Sequence, residues 1–283
     1  MAPNSPQLEA IQSDSKHLLP LYARPPLMIK DGKGCYLFDS QGRRYLDLNA
    51  GIAVNALGHG HPVVMAAIEA QKHLIHLSNL YHHPYAGPFA KILVESLGCD
   101  QPSCPGLSAC SDNCSDKGRL GLESKVFFCN SGTEANEGAI KFARKVGKAH
   151  DPSGKKMGIV SFGNAFHGRT LGSLSATPSP KYQKPFYPLV PGFKKAPFND
   201  VREAIAAIDE TTCGVIVEPV QGEGGIHVSQ REFLHALRKR CDQVGALLIF
   251  DEIQVNSFLM IDKSVRNRKN GQIVWIPKLW RDS

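Results

Sequence analysis

ALLIFDEIQ, residues 246–254, is a short apolar run followed at once by acidic residues and Gln254. In a strand with one solvent-exposed face, apolar and polar residues alternate. This run does not alternate, so we expect a strand that is buried on both faces. Three further runs of this kind occur, KVFFC at 125–129, GIVSF at 158–162 and CGVIVEP at 213–219. The sequence therefore predicts a sheet that is covered on both sides.

Helical patterns lie between and before these runs. They span roughly 134–147, 200–209 and 230–244, and upstream 61–76 and 88–98. Pro62 suits the first position of a helix, where its missing N–H costs nothing. Strands that alternate with helices form βαβ units, so we expect an α/β fold with a mostly parallel sheet and helices on both faces.

Length and composition exclude several classes of protein. The chain has 283 residues, of which 42% are hydrophobic, enough for one large domain or two modest ones. No apolar run approaches the roughly 20 residues that cross a bilayer. The first 16 residues lack the order of a secretory signal, and no Arg-rich presequence is evident. We therefore expect a soluble intracellular protein, in the mitochondrial matrix or the cytoplasm, with no membrane partner.

The basic charge is concentrated near the end of the chain. The net charge is +7, and residues 255–283 contain six basic and two acidic residues, which accounts for four of those charges. No recognition motif or interleaving of aromatic and basic residues accompanies them, so we expect no nucleic-acid partner.

Four of the eight cysteines form a cluster, Cys99, Cys104, Cys110 and Cys114. Their spacing fits no standard zinc site, and the surrounding stretch is rich in Gly, Ser, Pro and Asp. We interpret 99–124 as a surface insertion with reduced thiols, with a metal site as the alternative; no metal is expected.

Polar and aromatic side chains follow each predicted strand. Ligands of parallel sheets bind beyond the carboxyl ends of the strands. The residues at these ends are Ser131, Gly132 and Thr133, then Phe166, His167 and Arg169, then Glu218 and Glu223, and finally Asp251 and Gln254. The first three precede a helix and predict a phosphate cradle, although an ordinary Ser/Thr helix cap fits them as well.

Together these groups match one kind of ligand: an anionic, flat, nitrogen-containing ring. Phosphate would bind at the helix end and Phe166 would stack on the ring. The ring nitrogen would face Asp251, and a ring oxygen would lie near Gln254. Pyridoxal phosphate has this outline, and its ring nitrogen calls for an acidic partner.

The motifs NSGTEANEGAIKFAR, FHGRT, EPVQGEGG and LLIFDEIQ resemble those of the class III pyridoxal-phosphate aminotransferases, which have the fold type I architecture. The front segment, 22–62, and LSNLY at 77–81 resemble the acetylornithine aminotransferases within that family. The likeness covers about 20–254. It implies residues 1–80 as the start of a small domain with the first helix, 81–254 as part of the cofactor-binding domain, and 255–283 as a divergent tail.

The resemblance also implies roles for single residues. The amides of Gly132 and Thr133 would hold the phosphate, and Phe166 would stack on the ring. Arg169 would bind a substrate carboxylate, Glu223 would lie near the substrate and Glu218 would order the site. Asp251 would keep the ring nitrogen protonated, and Gln254 would bond the ring hydroxyl oxygen. For His167, a contact with the ring edge and a packing role remain equal alternatives.

The implied reaction is transamination, from N-acetylornithine to 2-oxoglutarate, as in arginine biosynthesis, by a homodimer. It requires a Schiff-base lysine, which in the family follows a T-G-x-G-R-T-G stretch and lies in a context like A-K-x-L-G-G-G. Neither motif follows Gln254, and the neighbours of Lys278 do not match. We therefore expect a truncated chain with little or no turnover, a tail from a retained intron or frameshift, and a sheet with unpaired edges.

Two alternatives stay open at this point. Ornithine and 4-aminobutyrate aminotransferases share the cofactor motifs, so another class III substrate is one of them. The other is a non-catalytic structural partner of an intact subunit, which the missing lysine favours.

Overall fold

The computed structural model describes residues 6–98, 125–254 and 273–277. These residues belong to two compact units, 1–82 and 83–283. No helix among the described residues is long and apolar enough to cross a membrane. The Cys-rich stretch 99–124 and Lys278 lie outside the described residues.

The first unit contains a small antiparallel sheet of three strands in the order β1-β2-β3. Its elements are α1 (Pro6–His17), β1 (Ile29–Lys33), β2 (Tyr36–Asp39), β3 (Arg44–Leu46), the short turn α2 (Ala50–Ala53) and α3 (Pro62–Gln71). Asp39 closes the β2–β3 turn, because its carboxylate accepts from the N–H groups of Gln41 and Arg43, both at 2.9 Å. Burial alone would raise the pKa of Asp39, but hydrogen bonds from Arg43, Tyr45 and Gln41 outweigh it and lower the pKa to about 2.

The second unit is built on a parallel five-stranded sheet in the order β10-β9-β6-β4-β5. Its strands are β4 (Gly158–Phe162), β5 (Phe193–Ala196), β6 (Thr212–Val217), β9 (Leu247–Glu252) and β10 (Ile273–Pro277), and β7 (Val220–Gln221) pairs with β8 (His227–Val228) in a separate hairpin. The helices are α4 (Ala86–Gly98), α5 (Gly132–His150), α6 (Leu171–Ala176), α7 (Pro180–Gln183), α8 (Val201–Ala207) and α9 (Arg231–Val244), with a 3₁₀ turn at Lys184–Phe186.

The two faces of this sheet are covered by different helices. Alternate strand residues such as Ile159 and Ile249 pack with Ala143 of α5 on one face. Their neighbours Val160 and Phe250 pack with residues of α8 and α9 on the other. Both sets are buried, which explains why the strands read as continuous apolar runs.

Several predicted elements are confirmed and others are corrected. The strands at 158–162, 213–219 and 246–251 correspond to β4, β6 and β9, and the helices predicted at 134–147, 200–209 and 230–244 correspond to α5, α8 and α9 with shifted ends. The strand predicted at 125–129 is wrong: the segment is not a strand and pairs with none of the described strands. Its rings pack on helices instead, Phe128 against Phe89 of α4 and Phe127 edge-on against Phe142 of α5.

Within the described residues, the expected unpaired edges lie at β10 and β5, the terminal strands of the sheet, and β9 is an inner strand. β10 runs parallel to β9, with Ile273 opposite Leu248 and Pro277 opposite Glu252. This pairing supplies hydrogen-bonding partners for the backbone of β9, which would otherwise be an open edge.

Candidate active site

Three neighbouring strands and one helix converge at the carboxyl edge of the parallel sheet. β9, β6 and β4 are adjacent, and the residues that follow β4 and β6 meet those at the end of β9. The start of α5 reaches the same place, because the Cβ atom that Gly132 lacks would lie 2.9 Å from the Ile253 side chain. The strand order thus brings together groups that are more than a hundred residues apart in sequence.

A buried polar cluster lies at the end of β9. Nδ2 of Asn136 donates to Oδ2 of Asp251 at 2.8 Å, and Nδ1 of His167 lies 2.7 Å from the same oxygen. The side chain of His167 is 0% exposed and that of Asp251 is 4% exposed. An ionised carboxylate only accepts, so His167 carries its proton on Nδ1. His167 therefore contacts Asp251 directly.

The second oxygen of Asp251 accepts one longer bond, from the N–H of Ile253 at 3.2 Å. Nε2 of His167 is buried and has no hydrogen-bond partner among the described residues. A carboxylate oxygen has more than one lone-pair direction. Asp251 thus retains capacity for a further donor.

Glu218, just after β6, joins two loops. Its Oε1 accepts from the N–H of Phe166 at 2.9 Å, and its Oε2 accepts from the N–H of Gly222 at 3.3 Å. Burial raises the pKa of Glu218 to about 7; nearby Asp251 also raises it, while His167 and the two N–H donors oppose the rise. Glu218 therefore changes its charge near neutral pH.

The first turn of α5 has the Ser/Thr helix cap that the sequence offered as an alternative to a phosphate cradle. Oγ of Ser131 accepts from the N–H of Glu134 at 3.3 Å, and the Glu134 carboxylate accepts from the N–H of Asn130 at 2.7 Å. The N–H groups of Gly132 and Thr133 have no acceptor among the described residues. A cap on the helix and two free amides therefore coexist at this end of α5.

A hydrogen-bonded network ties this turn to α6. Oγ1 of Thr133 lies 2.8 Å from Oγ1 of Thr170, which donates to Oε1 of Glu137 at 2.6 Å. The same Glu137 oxygen accepts from the N–H of Gly172 at 2.9 Å. Gly168, with φ at 123°, lies so close that a Cβ there would come within 2.3 Å of Oγ1 of Thr133.

The aromatic and cationic residues after β4 lie on the exposed side of this cluster. Phe166 is half-buried, and the guanidinium carbon of Arg169 lies 5.4 Å from the centre of its ring. The same carbon lies 3.7 Å from the centre of the Tyr182 ring, a distance typical of a cation–π contact. Arg169 is exposed and forms no ion pair with the described residues.

Gln254 and Glu223 differ in how closely they join the cluster. Gln254 is half-buried and packs against Gly222, where a Cβ atom would lie 3.2 Å from Gln254. Glu223 is exposed and forms no hydrogen bond or ion pair with the part of the chain that the structure describes. Within the described residues, no group of three metal-binding side chains occurs.

Sequence reasoning missed four polar or aromatic contributors: Asn136, Glu137, Thr170 and Tyr182. Asn136 and Glu137 lie within the recognised motif NSGTEANEGA. Asn136 stands one helical turn after Gly132, a position that shares a face with the phosphate amides. That spacing could have identified it, whereas nothing in the sequence marks Tyr182.

Comparison with known proteins assigns the chain to a family. The model of the class III aminotransferases matches residues 21–256. The chain belongs to this family.

Among its curated relatives, the mitochondrial acetylornithine aminotransferase of Neurospora crassa is 50% identical over 252 residues, which are 89% of this chain and 51% of that protein. The acetylornithine aminotransferase of Methanocaldococcus jannaschii is 47% identical over 246 residues, 86% of this chain and 55% of that protein. The chain thus spans about half the length of the curated relatives it matches.

Solved structures agree on the fold type I architecture. N-acetylornithine aminotransferase from Stenotrophomonas maltophilia is 31% identical, with a TM-score of 0.64 over 87% of this chain and 54% of that chain. Ornithine aminotransferase from Toxoplasma gondii, crystallised with partial occupancy of pyridoxal phosphate at its active site, is 28% identical with a TM-score of 0.72, over 88% of this chain and 54% of that chain.

The residues at the sheet edge fit pyridoxal phosphate, the cofactor of this family. The amides of Gly132 and Thr133, at the start of a 19-residue helix, have no acceptor among the described residues and suit a phosphate. The buried Asp251 carboxylate suits a protonated ring nitrogen, and the half-buried Phe166 offers a flat surface for the ring.

Proposed function

We propose that this chain carries the cofactor-binding part of an acetylornithine aminotransferase, which transfers an amino group from N-acetylornithine to 2-oxoglutarate in arginine biosynthesis. The observation that carries the proposal is the buried Asp251 carboxylate, held by Asn136 and His167 beside the start of α5. The names of the relatives from N. crassa and M. jannaschii support the substrate.

In this proposal each residue has a defined task. The amides of Gly132 and Thr133 bind the phosphate, and Phe166 covers one face of the ring. The bound cofactor supplies an electron-withdrawing ring that stabilises negative charge on the carbon that loses a proton. Asp251 pairs with the ring nitrogen and favours its protonated form, while Gln254 bonds the ring hydroxyl oxygen.

Substrate binding is assigned to the exposed side. Arg169 is exposed and lies over the rings of Phe166 and Tyr182. Its planar guanidinium can bond both oxygens of a carboxylate at once, which suits a substrate with a free carboxylate. Glu223, also exposed, is proposed to lie near the substrate end, and Glu218 to order the loops.

Proton transfer in this family needs a lysine, and its motif is absent from these 283 residues. We therefore expect a polypeptide of this sequence to bind the cofactor with little or no turnover. Lys278 lies in the tail, residues 255–283, but the neighbours of Lys278 do not match that motif.

The Asp251→Asn variant tests the proposal. An amide keeps the size of the side chain but cannot pair as a charge with the ring nitrogen, so we expect pyridoxal phosphate to bind at least about tenfold more weakly. Titration of the purified chain, followed by absorbance, measures this. Glu210→Gln, at an exposed glutamate, is the matched control. Equal affinity in the two variants and the parent chain would refute the assignment of Asp251.

The missing lysine motif favours a second candidate, a non-catalytic partner of an intact subunit. Co-expression with a full-length, lysine-bearing relative tests it. A mixed oligomer that survives purification would support this role, and recovery of the two proteins in separate fractions would exclude it.

Assembly and compartment are also proposals. The family's homodimer is consistent with the exposed apolar residues of α3 and the segment after it, such as Met65, Ile75 and Leu80. For the compartment we propose the mitochondrial matrix or the cytoplasm. The mitochondrial acetylornithine aminotransferase of N. crassa supports the first compartment, whereas the name of the M. jannaschii relative states no compartment.

A further inference from the structure

Asn136 uses both protons of its amide inside the site. Nδ2 donates to Oδ2 of Asp251 and to the backbone carbonyl of His167, both at 2.8 Å. These acceptors lie on different segments, one in β9 and one in the loop after β4. Asn136 therefore links α5 by direct hydrogen bonds to both segments that hold the polar cluster.

The environment of Asn136 shows that its donors are what the site needs. The residue is 0% exposed, and its amide oxygen has no hydrogen-bond partner among the described residues. A buried acceptor without a partner costs stability. An apolar side chain of similar size would avoid that cost but would leave the Asp251 carboxylate with one donor fewer.

The position of Asn136 on α5 connects the two ends of the site. Asn136 stands four residues after Gly132, so both are on the same face of one continuous helix. The free amides of Gly132 and Thr133 move with Asn136 as part of a rigid element. The two bonds of the Asn136 amide therefore add a polar restraint on their distance from Asp251 to the apolar packing of α5 on β9.

We propose that Asn136 is a positioning residue that sets the distance between the phosphate amides of α5 and the Asp251 carboxylate. The inference rests on the proposed function and names the ligand feature it serves: an anionic phosphate and a basic ring nitrogen, held at one fixed separation. Preorganisation of this kind strengthens binding only for a ligand that carries both groups.

A comparison of two ligands tests this role. Pyridoxal phosphate carries both groups, whereas pyridoxal has the ring nitrogen without the phosphate. We expect Asn136→Ala to reduce the affinity advantage of pyridoxal phosphate over pyridoxal by at least about fivefold, because the two ends no longer fit at once. Dissociation constants of both ligands, measured for the full chain and the variant, give this ratio.

Controls separate positioning from loss of folding. Unfolding of part of the sample weakens both ligands equally and leaves the ratio unchanged. Asn136→Leu keeps nearly the same shape and removes both donors without adding a charge beside Asp251, so it should lower the ratio even where Asn136→Ala folds poorly. Thr212→Val removes a buried hydroxyl at the opposite end of β6 and should leave the ratio unchanged.

The outcomes are distinct. If the parent chain binds no pyridoxal phosphate, the proposed function fails and the positioning role fails with it. If the parent binds and both Asn136 variants keep its ratio, only the positioning role is overturned. A lowered ratio in both variants, with no change in Thr212→Val, supports it.

Discussion

At the scale of single residues, Glu218 makes the stability of the fold depend on pH. Its pKa rises from 4.5 to about 7 because the side chain is buried near Asp251. Below pH 4.5 the group is protonated in both folded and unfolded chains. As the pH rises from 4.5 to about 7 the unfolded chain ionises first, so stability falls and then levels off.

We expect Glu218→Gln to remove this dependence. The shift corresponds to roughly 3 kcal/mol, at about 1.4 kcal/mol for each pH unit. Relative to the parent chain, the variant should therefore gain stability between pH 5 and pH 8. Urea denaturation at both values, with the exposed Glu210→Gln as control, measures the difference. The same change in both variants would show that Glu218 is not its source.

At the scale of elements, the start of α5 depends on the absence of a side chain at Gly132. A Cβ there would come within 2.9 Å of Ile253, next to Gln254. We expect Gly132→Ala to shift this turn and to weaken binding of pyridoxal phosphate by about tenfold or more. Absorbance titration of the purified variant measures this loss.

Gly138→Ala is the matched control on the same helix. Its Cβ would lie 3.3 Å from the ring of Phe127, which is 60% exposed, and 4.0 Å from the ring of Phe142. Alanine favours a helix interior over glycine by roughly 0.5–1 kcal/mol, so this variant should be slightly more stable and bind normally. A similar loss of binding in both variants would contradict the role of Gly132.

Strands and helices with a complete local pattern were predictable, and those that depend on distant partners were not. GIVSF is buried on both faces and became β4, whereas the equally apolar KVFFC pairs with no strand of the described sheet. Apolar runs report burial, but a strand also needs a neighbour for its backbone. β5, with Lys194 and Lys195 at its centre, lacks the apolar signal because it lies at the edge of the sheet.

The site shows the same division. Residues directly after strands, such as Asp251 and Phe166, were expected at the carboxyl edge because parallel strands place them there. The partners of these residues could not be predicted, because they are distant in sequence or are brought together by the chain between them. Asn136 donates to Asp251 across 115 positions, and the Tyr182 ring contacts Arg169 after an intervening helix. Periodicity within a segment contains no information about such pairs.

At the scale of the whole molecule, β10 is the terminal strand on one side of the large sheet and makes β9 an inner strand. Its backbone pairs with β9 from Ile273 to Pro277. Successive residues of a strand direct their N–H groups to opposite sides, so one of the two residues Val274 and Trp275 donates toward β9. Substitution of both residues by proline, Val274→Pro with Trp275→Pro, therefore removes that donor. We expect the amides of β9 to exchange faster with solvent in this double variant.

Hydrogen exchange followed by mass spectrometry measures this effect. The amides of β5, at the opposite edge, serve as the internal control and should keep their exchange rates. Unchanged protection of β9 would contradict the pairing with β10.

The central claim is that this sheet edge binds pyridoxal phosphate, and absorbance titration of the purified chain tests it most directly. Borohydride reduction and mass analysis of the product should accompany the titration. We predict saturable, reversible binding of one cofactor per chain, weakened by Asp251→Asn, with no specific lysine adduct after reduction. Absence of saturable binding would contradict the account, and a single reduced adduct on Lys278 would overturn the expectation that the chain lacks a functional lysine.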